Sequence, residues 1–162
     1  DSLKVGDSLE MKGALGEIVY NGKGSISIHG KERTVKNITL LAAGTGITPG
    51  YQIMKAIYED PDDTTEVSLI YANRTPDDIL VREDLDKVST KKNINVWYTV
   101  DAAVSGWKFS TGHVNVDMIK KKCAKASDTT VALMCGPPGF VKYACEANLE
   151  TLGYKEDTVF NF

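Results

Sequence analysis

Asn37 to Tyr58 reads NITLLAAGTGITPGYQIMKAIY, and it changes period halfway along. Ile38 to Ala43 is an apolar run long enough for one buried strand. After Gly44-Thr45-Gly46-Ile47-Thr48-Pro49, the residues Tyr51, Ile53, Met54, Ile57 and Tyr58 recur at helical spacing, so strand passes into helix. Two glycines at the junction permit a tight turn and leave no side chain between the backbone and a ligand. Pro49 fits the first turn of a helix, where a missing N–H costs nothing. The bare amides of a helix N-terminus attract anions, phosphate above all. The stretch is therefore a candidate phosphate-binding turn of a nucleotide-binding α/β domain. Alone it is unspecific, because any tight strand-to-helix connection can use glycine. Nor is it the dinucleotide fingerprint G-x-G-x-x-G, since Pro49 stands where the third glycine belongs.

Downstream the same alternation repeats. Glu66 to Ala72 (EVSLIYA), Ile94 to Val100 (INVWYTV) and Thr130 to Cys135 (TVALMC) predict three further strands. Ile79 to Val88 fits an amphipathic helix with Ile79, Leu80, Leu85 and Val88 inward. Val114 to Ala126 predicts a second, with Val114, Met118 and Ile119 inward and Lys120, Lys121 and Lys122 outward. Phe140 to Leu152 predicts a last helix, and Thr158 to Phe162 a terminal strand. Asp101 to Thr111, with Trp107, is expected as a loop. The expected fold is α/β: a parallel sheet with helices on both faces. In such sheets ligands bind outside the carboxyl ends of the strands. The unusual residues lie at those ends: Gly44–Pro49, Tyr71–Thr75, Asp101 and Cys135–Pro138. That convergence argues for nucleotide binding more strongly than any one motif.

Upstream, residues 1–36 are β-like and rich in turns. Leu3, Val5, Leu9 and Met11 alternate loosely with polar residues. Ile18-Val19-Tyr20 and Ile26-Ser27-Ile28 are short strand candidates, and Lys31 to Lys36 is expected as a charged linker or domain edge. This is too little for a self-sufficient sheet domain, and it reads as the last strands of a barrel. The expected division is 1–36 and 37–162. The absence of an initiator Met is read as the mark of a fragment, and no secretory signal is read at Asp1-Ser2-Leu3-Lys4.

Composition bounds the partners. The 162 residues carry a net charge of −3, which gives no reason to expect nucleic acid or an anionic membrane surface. No apolar run approaches the roughly 20 residues of a membrane span. Cys123, Cys135 and Cys145 lack metal-ligand spacing and suggest reduced thiols in a cytosol-like compartment. His29 and His113 are far apart in sequence and argue against a metal site. No Gly-x-Ser-x-Gly, HExxH or P-loop lysine is present, so hydrolase and kinase chemistry lacks support.

Each site residue has two readings. Arg74 meets an adenosine ribose or phosphate, or is a solvated loop cation. Asp101 binds ribose hydroxyls and repels a 2′-phosphate, or caps a turn. Cys135 borders a reacting ring, or is a small buried residue, which spacing favours. Cys123 and Cys145 read as packing residues. Lys120 to Lys122 reads as a solvated helix face, or as a docking patch for an acidic partner. Phe160 and Phe162 read as core or edge aromatics, or as a terminal ring over a cofactor.

Taken in order, GTGITP, YANRT, DDILVRED, VWYTVD, GW and CGPP resemble the nicotinamide-binding half of the ferredoxin-NADP reductase superfamily. More narrowly the chain is similar to the reductase fragment of eukaryotic assimilatory nitrate reductases and to cytochrome b5 reductases. YANRTPDDIL, GWKFSTGHV and Met11-Lys12-Gly13-Ala14-Leu15-Gly16 lean to the nitrate reductases, while Tyr143-Ala144-Cys145 is shared with the b5 reductases. The resemblance implies that NADH delivers a hydride to FAD and that electrons leave singly through a haem domain to molybdenum and nitrate. It implies that Gly44, Thr45, Gly46, Thr48 and Pro49 lie near the pyrophosphate and nicotinamide. Tyr71, Ala72, Asn73, Arg74, Thr75 and Asp101 would hold the adenosine end, Asp101 favouring NADH over NADPH. Cys135, Gly136, Pro137, Pro138 and Phe140 would place the nicotinamide, with Phe162 near the ring stack. Cys135 would act by position rather than as a nucleophile, since the cofactors carry the chemistry.

The implied partners are the FAD and haem domains of a longer cytoplasmic polypeptide. The alternatives are an NADH-cytochrome b5 reductase and a non-catalytic nucleotide-binding domain. The sequence departs from the family pattern in lacking the flavin-binding Arg-x-Tyr-Ser/Thr motif, in Gly139 for a third proline after CGPP, and in Ala14 for a proline. Residues 1–36 would then be the tail of the flavin barrel, and FAD would belong to the complete reductase.

Overall fold

The computed structural model describes residues 3–13 and 16–162, so Ala14 and Leu15 lie outside the described residues. Strands β1 (Ile18–Gly22), β2 (Ser25–Ile28) and β3 (Lys31–Thr34) make a small antiparallel sheet. Six strands make a parallel one: β4 (Asn37–Ala43), β5 (Glu66–Asn73), β6 (Ile94–Val100), β7 (Ser110–Thr111), β8 (Thr130–Cys135) and β9 (Val159–Asn161). Their spatial order is β7-β6-β5-β4-β8-β9. The chain therefore starts in the middle, steps outward to β7, then returns to the other side of β4. Right-handed crossovers made in opposite directions fall on opposite faces of a sheet. Accordingly α1 (Ile47–Glu59) and α2 (Arg82–Val88) cover one face. On the other face lie α3 (Val116–Lys122) and a π-helical segment, Phe140–Glu146, that runs into α4 (Ala147–Thr151).

The unbroken apolar runs follow from burial on both faces. Ile38, Leu40 and Ala42 enter the core under α1, and Leu41 enters the opposite one. Leu69 and Tyr71 part from Ile70 in the same way, as do Val131 and Leu133 from Ala132 and Met134. Each such aliphatic side chain contributes about 1.5–3 kcal/mol when fully buried. Ile26, Ile28 and Val35 attach the small sheet to the α1 side.

Several expectations are corrected. Lys31 to Thr34 is a strand, not a linker, because β2 supplies its backbone partners. Leu3, Val5, Leu9 and Met11 belong to no strand and are exposed. The helix expected from Ile79 begins only at Arg82. Thr75 and Asp78 close a capping box over a short 3-10 turn, Ile79 is extended, and Val81 is left-handed at φ 49°. Ile79 thus reaches the core while Leu80 is left exposed. The next helix is shorter than expected, 116–122, because Asn115 caps it by accepting from the Met118 amide at 3.1 Å. Lys122 is not simply outward, since its Nζ lies 3.1 Å from the centroid of the Trp97 ring. Ser110 and Thr111 leave the expected loop to pair with β6. Among the described residues no helix is long and apolar enough to cross a membrane.

Candidate functional site

The connections after β4 and β8 leave for opposite faces, one into α1 and the other into the π-helical segment. Neighbouring strands whose connections diverge leave a crevice at their carboxyl ends, and this is where such sheets bind ligands. Two loops line it backbone against backbone. A Cβ on Gly46 would overlap the Cys135 carbonyl oxygen. One on Gly136 would come within 2.7 Å of Phe140 Cδ1 and 3.0 Å of the Ala43 Cβ. In front of Gly44 the space is open, since a Cβ there would meet nothing within 4 Å.

The turn is held from below. Tyr71 is wholly buried in β5 and its hydroxyl donates to the Gly44 carbonyl at 2.8 Å. Burial pushes its phenol up from the ordinary tyrosine value, so it stays a neutral donor. Tyr71 therefore reaches the crevice only through the carbonyl it holds. Helix α1 starts at Ile47 with no side-chain cap and no acidic residue in its first turn. The Ile47 amide already donates to Gly44 O and Thr45 O in the preceding 3-10 turn, and the thirteen residues of α1 point a dipole along its axis toward that turn. Thr45 and Thr48 are exposed, and the Thr48 hydroxyl donates to the Thr45 carbonyl at 3.2 Å.

Next along the rim, the ends of β5 and β6 stay linked beyond the strands. Asp101 N donates to Asn73 O at 3.1 Å and Ala102 N to Arg74 O at 2.9 Å. Asp101 and Arg74 are both exposed beside this link, and Ala72 is half-buried. Thr75 spends its amide and hydroxyl on Asp78 Oδ2, at 2.9 and 2.7 Å. Asn73 Nδ2 is buried with no hydrogen-bond partner among the described residues. A buried donor without a partner is costly and marks a place where a ligand acceptor fits.

His113 is the residue the sequence pattern does not reveal. Gly112 N donates to Val100 O at 2.9 Å, and Thr99 Oγ1 donates to Gly112 O at 2.7 Å. This brings His113 Nε2 to 3.9 Å from Asp101 Oδ1. Only the pairing of β7 with β6 joins two residues twelve positions apart, and nothing in GWKFSTGHV announces it.

On the other flank, Cys135 is half-buried and burial pushes its thiol up, away from the nucleophilic thiolate. Pro137 and Pro138 are exposed, and Phe140 is half-buried under Gly136. Cys145 and Cys123 lie in the packing, both thiols raised to about 12 by burial. Phe162 extends β9, its amide donating to Met134 O at 3.1 Å, with its side chain in a shallow cleft beside Gly16, Glu17 and Ile18. The rim thus runs from Phe162 through Cys135, Gly44 and Asn73 to Asp101, one strand at a time. At about 4.8 Å per strand, β8 to β6 spans roughly 14 Å, which suits an elongated ligand lying across the strand ends.

A doubly wound parallel sheet with a glycine-lined crevice at its switch point has the architecture of a nucleotide-binding domain. The sequence matches the family described as the oxidoreductase NAD-binding domain over residues 40–146, and the chain belongs to that family. It is 46% identical over 157 residues to NADH nitrate reductase 1 of Nicotiana tabacum, covering 95% of this chain and 17% of that protein. Inducible NADH nitrate reductase 2 of Glycine max is likewise 46% identical, over 156 residues, with 95% and 18% covered. The chain thus spans about a sixth of the length of these relatives. Among solved structures, the cytochrome b5 reductase domain of Ulva prolifera nitrate reductase superposes with a TM-score of 0.91 at 41% identity. That match covers 99% of this chain and 63% of the other. The CS and b5R domains of human Ncb5or, in their NAD+ form, superpose at 0.69 with 27% identity over 79% of this chain and 37% of that one.

The residues present fit a nicotinamide dinucleotide: an uncapped helix N-terminus, a backbone cradle that admits no Cβ, and an orphaned amide at Asn73.

Proposed function

We propose that this chain is the NADH-binding module of a cytoplasmic flavoprotein reductase of the nitrate reductase type. In it NADH would give its hydride to FAD, and electrons would pass through haem to a molybdenum centre that reduces nitrate. Residues 1–36 would be the end of the flavin-binding barrel and the link to it, with 37–162 the NADH-binding domain. The observation that carries this reading is the divergence of the connections after β4 and β8 at the switch point, with open space in front of Gly44.

The chain's own residues divide the work. The turn Gly44, Thr45 and Gly46, at the positive end of the α1 dipole, would take the pyrophosphate, with Thr48 and Pro49 on the nicotinamide side. Asn73 Nδ2, Arg74, Thr75 and Asp101 would hold the adenosine end, where the Asp101 carboxylate accepts from ribose hydroxyls and repels a 2′-phosphate. Tyr71 and Ala72 would act through the turn they support. Cys135, Gly136, Pro137, Pro138 and Phe140 would form the wall that orients the nicotinamide, with Phe162 at its edge. Cys135 positions as a neutral thiol, and the hydride chemistry belongs to the cofactors.

The test is NADH-dependent ferricyanide reduction by the longer polypeptide carrying its flavin, alongside calorimetric titration of this chain with NADH. Binding by the chain and NADH-selective turnover by the flavoprotein are expected. A flavin-loaded protein that binds NADH yet passes no electrons would leave a nucleotide-binding module and overturn the reductase reading.

A further inference from the structure

At the end of the sheet away from the crevice, among the described residues, one carboxylate is buried. Asp63, 1% exposed, precedes β5 in the corner after α1. Its Oδ2 accepts from the Tyr20 hydroxyl at 2.6 Å and from the Lys23 amide at 2.8 Å, and its Oδ1 from the Thr65 amide at 2.9 Å. Because the Tyr20 hydroxyl donates to Asp63, its oxygen accepts from the Gly24 amide at 3.0 Å and from the Thr65 hydroxyl at 2.8 Å. Behind them, Asn93 Nδ2 donates to the carbonyls of Asp63 and Thr65, at 3.2 and 2.7 Å. The hairpin turn between β1 and β2 is therefore closed around a side chain 40 residues away in sequence. Gly24 permits it, since a Cβ there would overlap the Val35 carbonyl oxygen.

The small sheet has a second attachment on β9. Arg33 lies over the Phe160 ring, 5.2 Å from its centroid, and the His29 ring is 6.1 Å from the same ring. Ile26, Ile28 and Val35 add an apolar attachment to the α1 side, but apolar packing is non-directional, so the directional contacts set the angle. The Phe160 contact is made of exposed or half-buried side chains, so it resists rotation weakly. The Asp63 carboxylate is buried, its bonds to the half-buried Tyr20 and to the Lys23 and Thr65 amides are charge-assisted, and such hydrogen bonds are short and strong.

We propose that Asp63 and Tyr20 are positioning residues for hydride transfer. They clamp the β1–β3 sheet to the NADH-binding sheet and so set the angle at which the flavin-binding part faces the crevice. This rests on the proposed function, in which the chain ahead of β1 leads into the flavin barrel. Hydride transfer requires the reacting atoms about 3–3.5 Å apart, and a displacement of 1 Å costs on the order of a hundredfold. A clamp at the far end of a rigid sheet therefore acts on rate without touching either ring.

The experiment uses the flavin-containing longer polypeptide. Flavin reduction by NADH is followed by stopped-flow absorbance in the wild type and in Asp63→Asn, Tyr20→Phe and the double variant. The expected result is a fall in the flavin-reduction rate of about tenfold to a hundredfold, with the dissociation constant for NADH within about twofold. The double variant should be no slower than Asp63→Asn, since both break one clamp. Thr39→Val removes a buried hydrogen bond to Tyr154 elsewhere in the domain and should lower stability without slowing reduction. Folded variants that reduce flavin at the wild-type rate would overturn the clamp and leave the function standing. A slowing in Thr39→Val equal to that in Asp63→Asn would overturn it too, by reducing the effect to lost stability. If Asp63→Asn does not fold, Tyr20→Phe decides, because it keeps the Lys23 and Thr65 bonds to the carboxylate. A wild-type flavoprotein that NADH does not reduce would overturn the functional reading and the clamp with it.

Discussion

The two ends of the parallel sheet are built on opposite terms. At the carboxyl end, glycine backbone borders the open space in front of Gly44, and among the described residues the buried Asn73 Nδ2 has no partner. At the amino end, side chains satisfy nearly everything. Asp63 gathers three donors, Asn93 ties two carbonyls, and Lys91 Nζ closes the end of α1 by donating to Ile57 O and Asp60 O. A binding end must keep donors free for the ligand, and free donors are lost stability. At the amino end the polar groups are turned inward to hold the fold.

The largest expected effect breaks the contrast from the tied end. Asp63→Ala strands the Tyr20 hydroxyl and the Lys23 and Thr65 amides, and should cost about 3–5 kcal/mol in urea unfolding of the chain. NADH affinity of the molecules that remain folded should not change. Gly46→Ala attacks the open end, where the added methyl must push the two loops apart. Calorimetry should show NADH binding weakened about a hundredfold, about 2.7 kcal/mol, and unchanged affinity would remove the crevice from the ligand's path. Asp101→Ser should lower the preference for NADH over NADPH about tenfold, near 1.4 kcal/mol, in steady-state kcat/KM of the flavoprotein.

Titration sharpens the contrast further. Burial works to raise the Asp63 pKa, but the hydrogen bonds of Thr65, Tyr20 and Lys23 prevail and hold it below the ordinary carboxylate value. Its contribution is complete above the unfolded carboxylate pKa of about 3.9 and disappears as pH falls through the lower folded value. Tyr20 is pushed up to about 12 by burial and by its bond to Asp63. Its share is complete below the unfolded value of about 10 and is lost as pH rises toward 12. Denaturation midpoints scanned across both windows should fall at each edge and flatten in Tyr20→Phe at the alkaline one. The smallest effect is expected at the rim. His113→Ala removes an exposed partner of Asp101 and should change NADH affinity by no more than about twofold, since exposed pairs contribute about 0–1 kcal/mol.

Local signals predicted what was local. The apolar runs at Ile38–Ala43, Glu66–Ala72, Ile94–Val100 and Thr130–Cys135 each proved a parallel strand within a residue of its expected bounds. Their composition allows little else, because burial on both faces leaves no polar alternation. Ile79–Val88 misled because its apolar spacing fits a helix, while the Thr75–Asp78 capping box and the left-handed Val81 delay the helix by three residues. Lys31–Thr34 misled because an edge strand can be charged, and its strand character comes from β2 rather than from its own side chains.

The amino-acid sequence by itself determined the parallel sheet, the strand-to-helix turn at Gly44–Pro49 and the set of strand ends from which a site is built. Those depend on periodicity and on glycine and proline chemistry, which act over a few residues. Only the tertiary structure decided which of Asp60, Asp62 and Asp63 would be buried, since in EDPDDTT they look alike. It also decided that Tyr71 supports the turn from below, and that His113 stands beside Asp101. In each case the partner is supplied by another strand or hairpin, and side-chain chemistry names a possible bond without saying which distant group will come within reach.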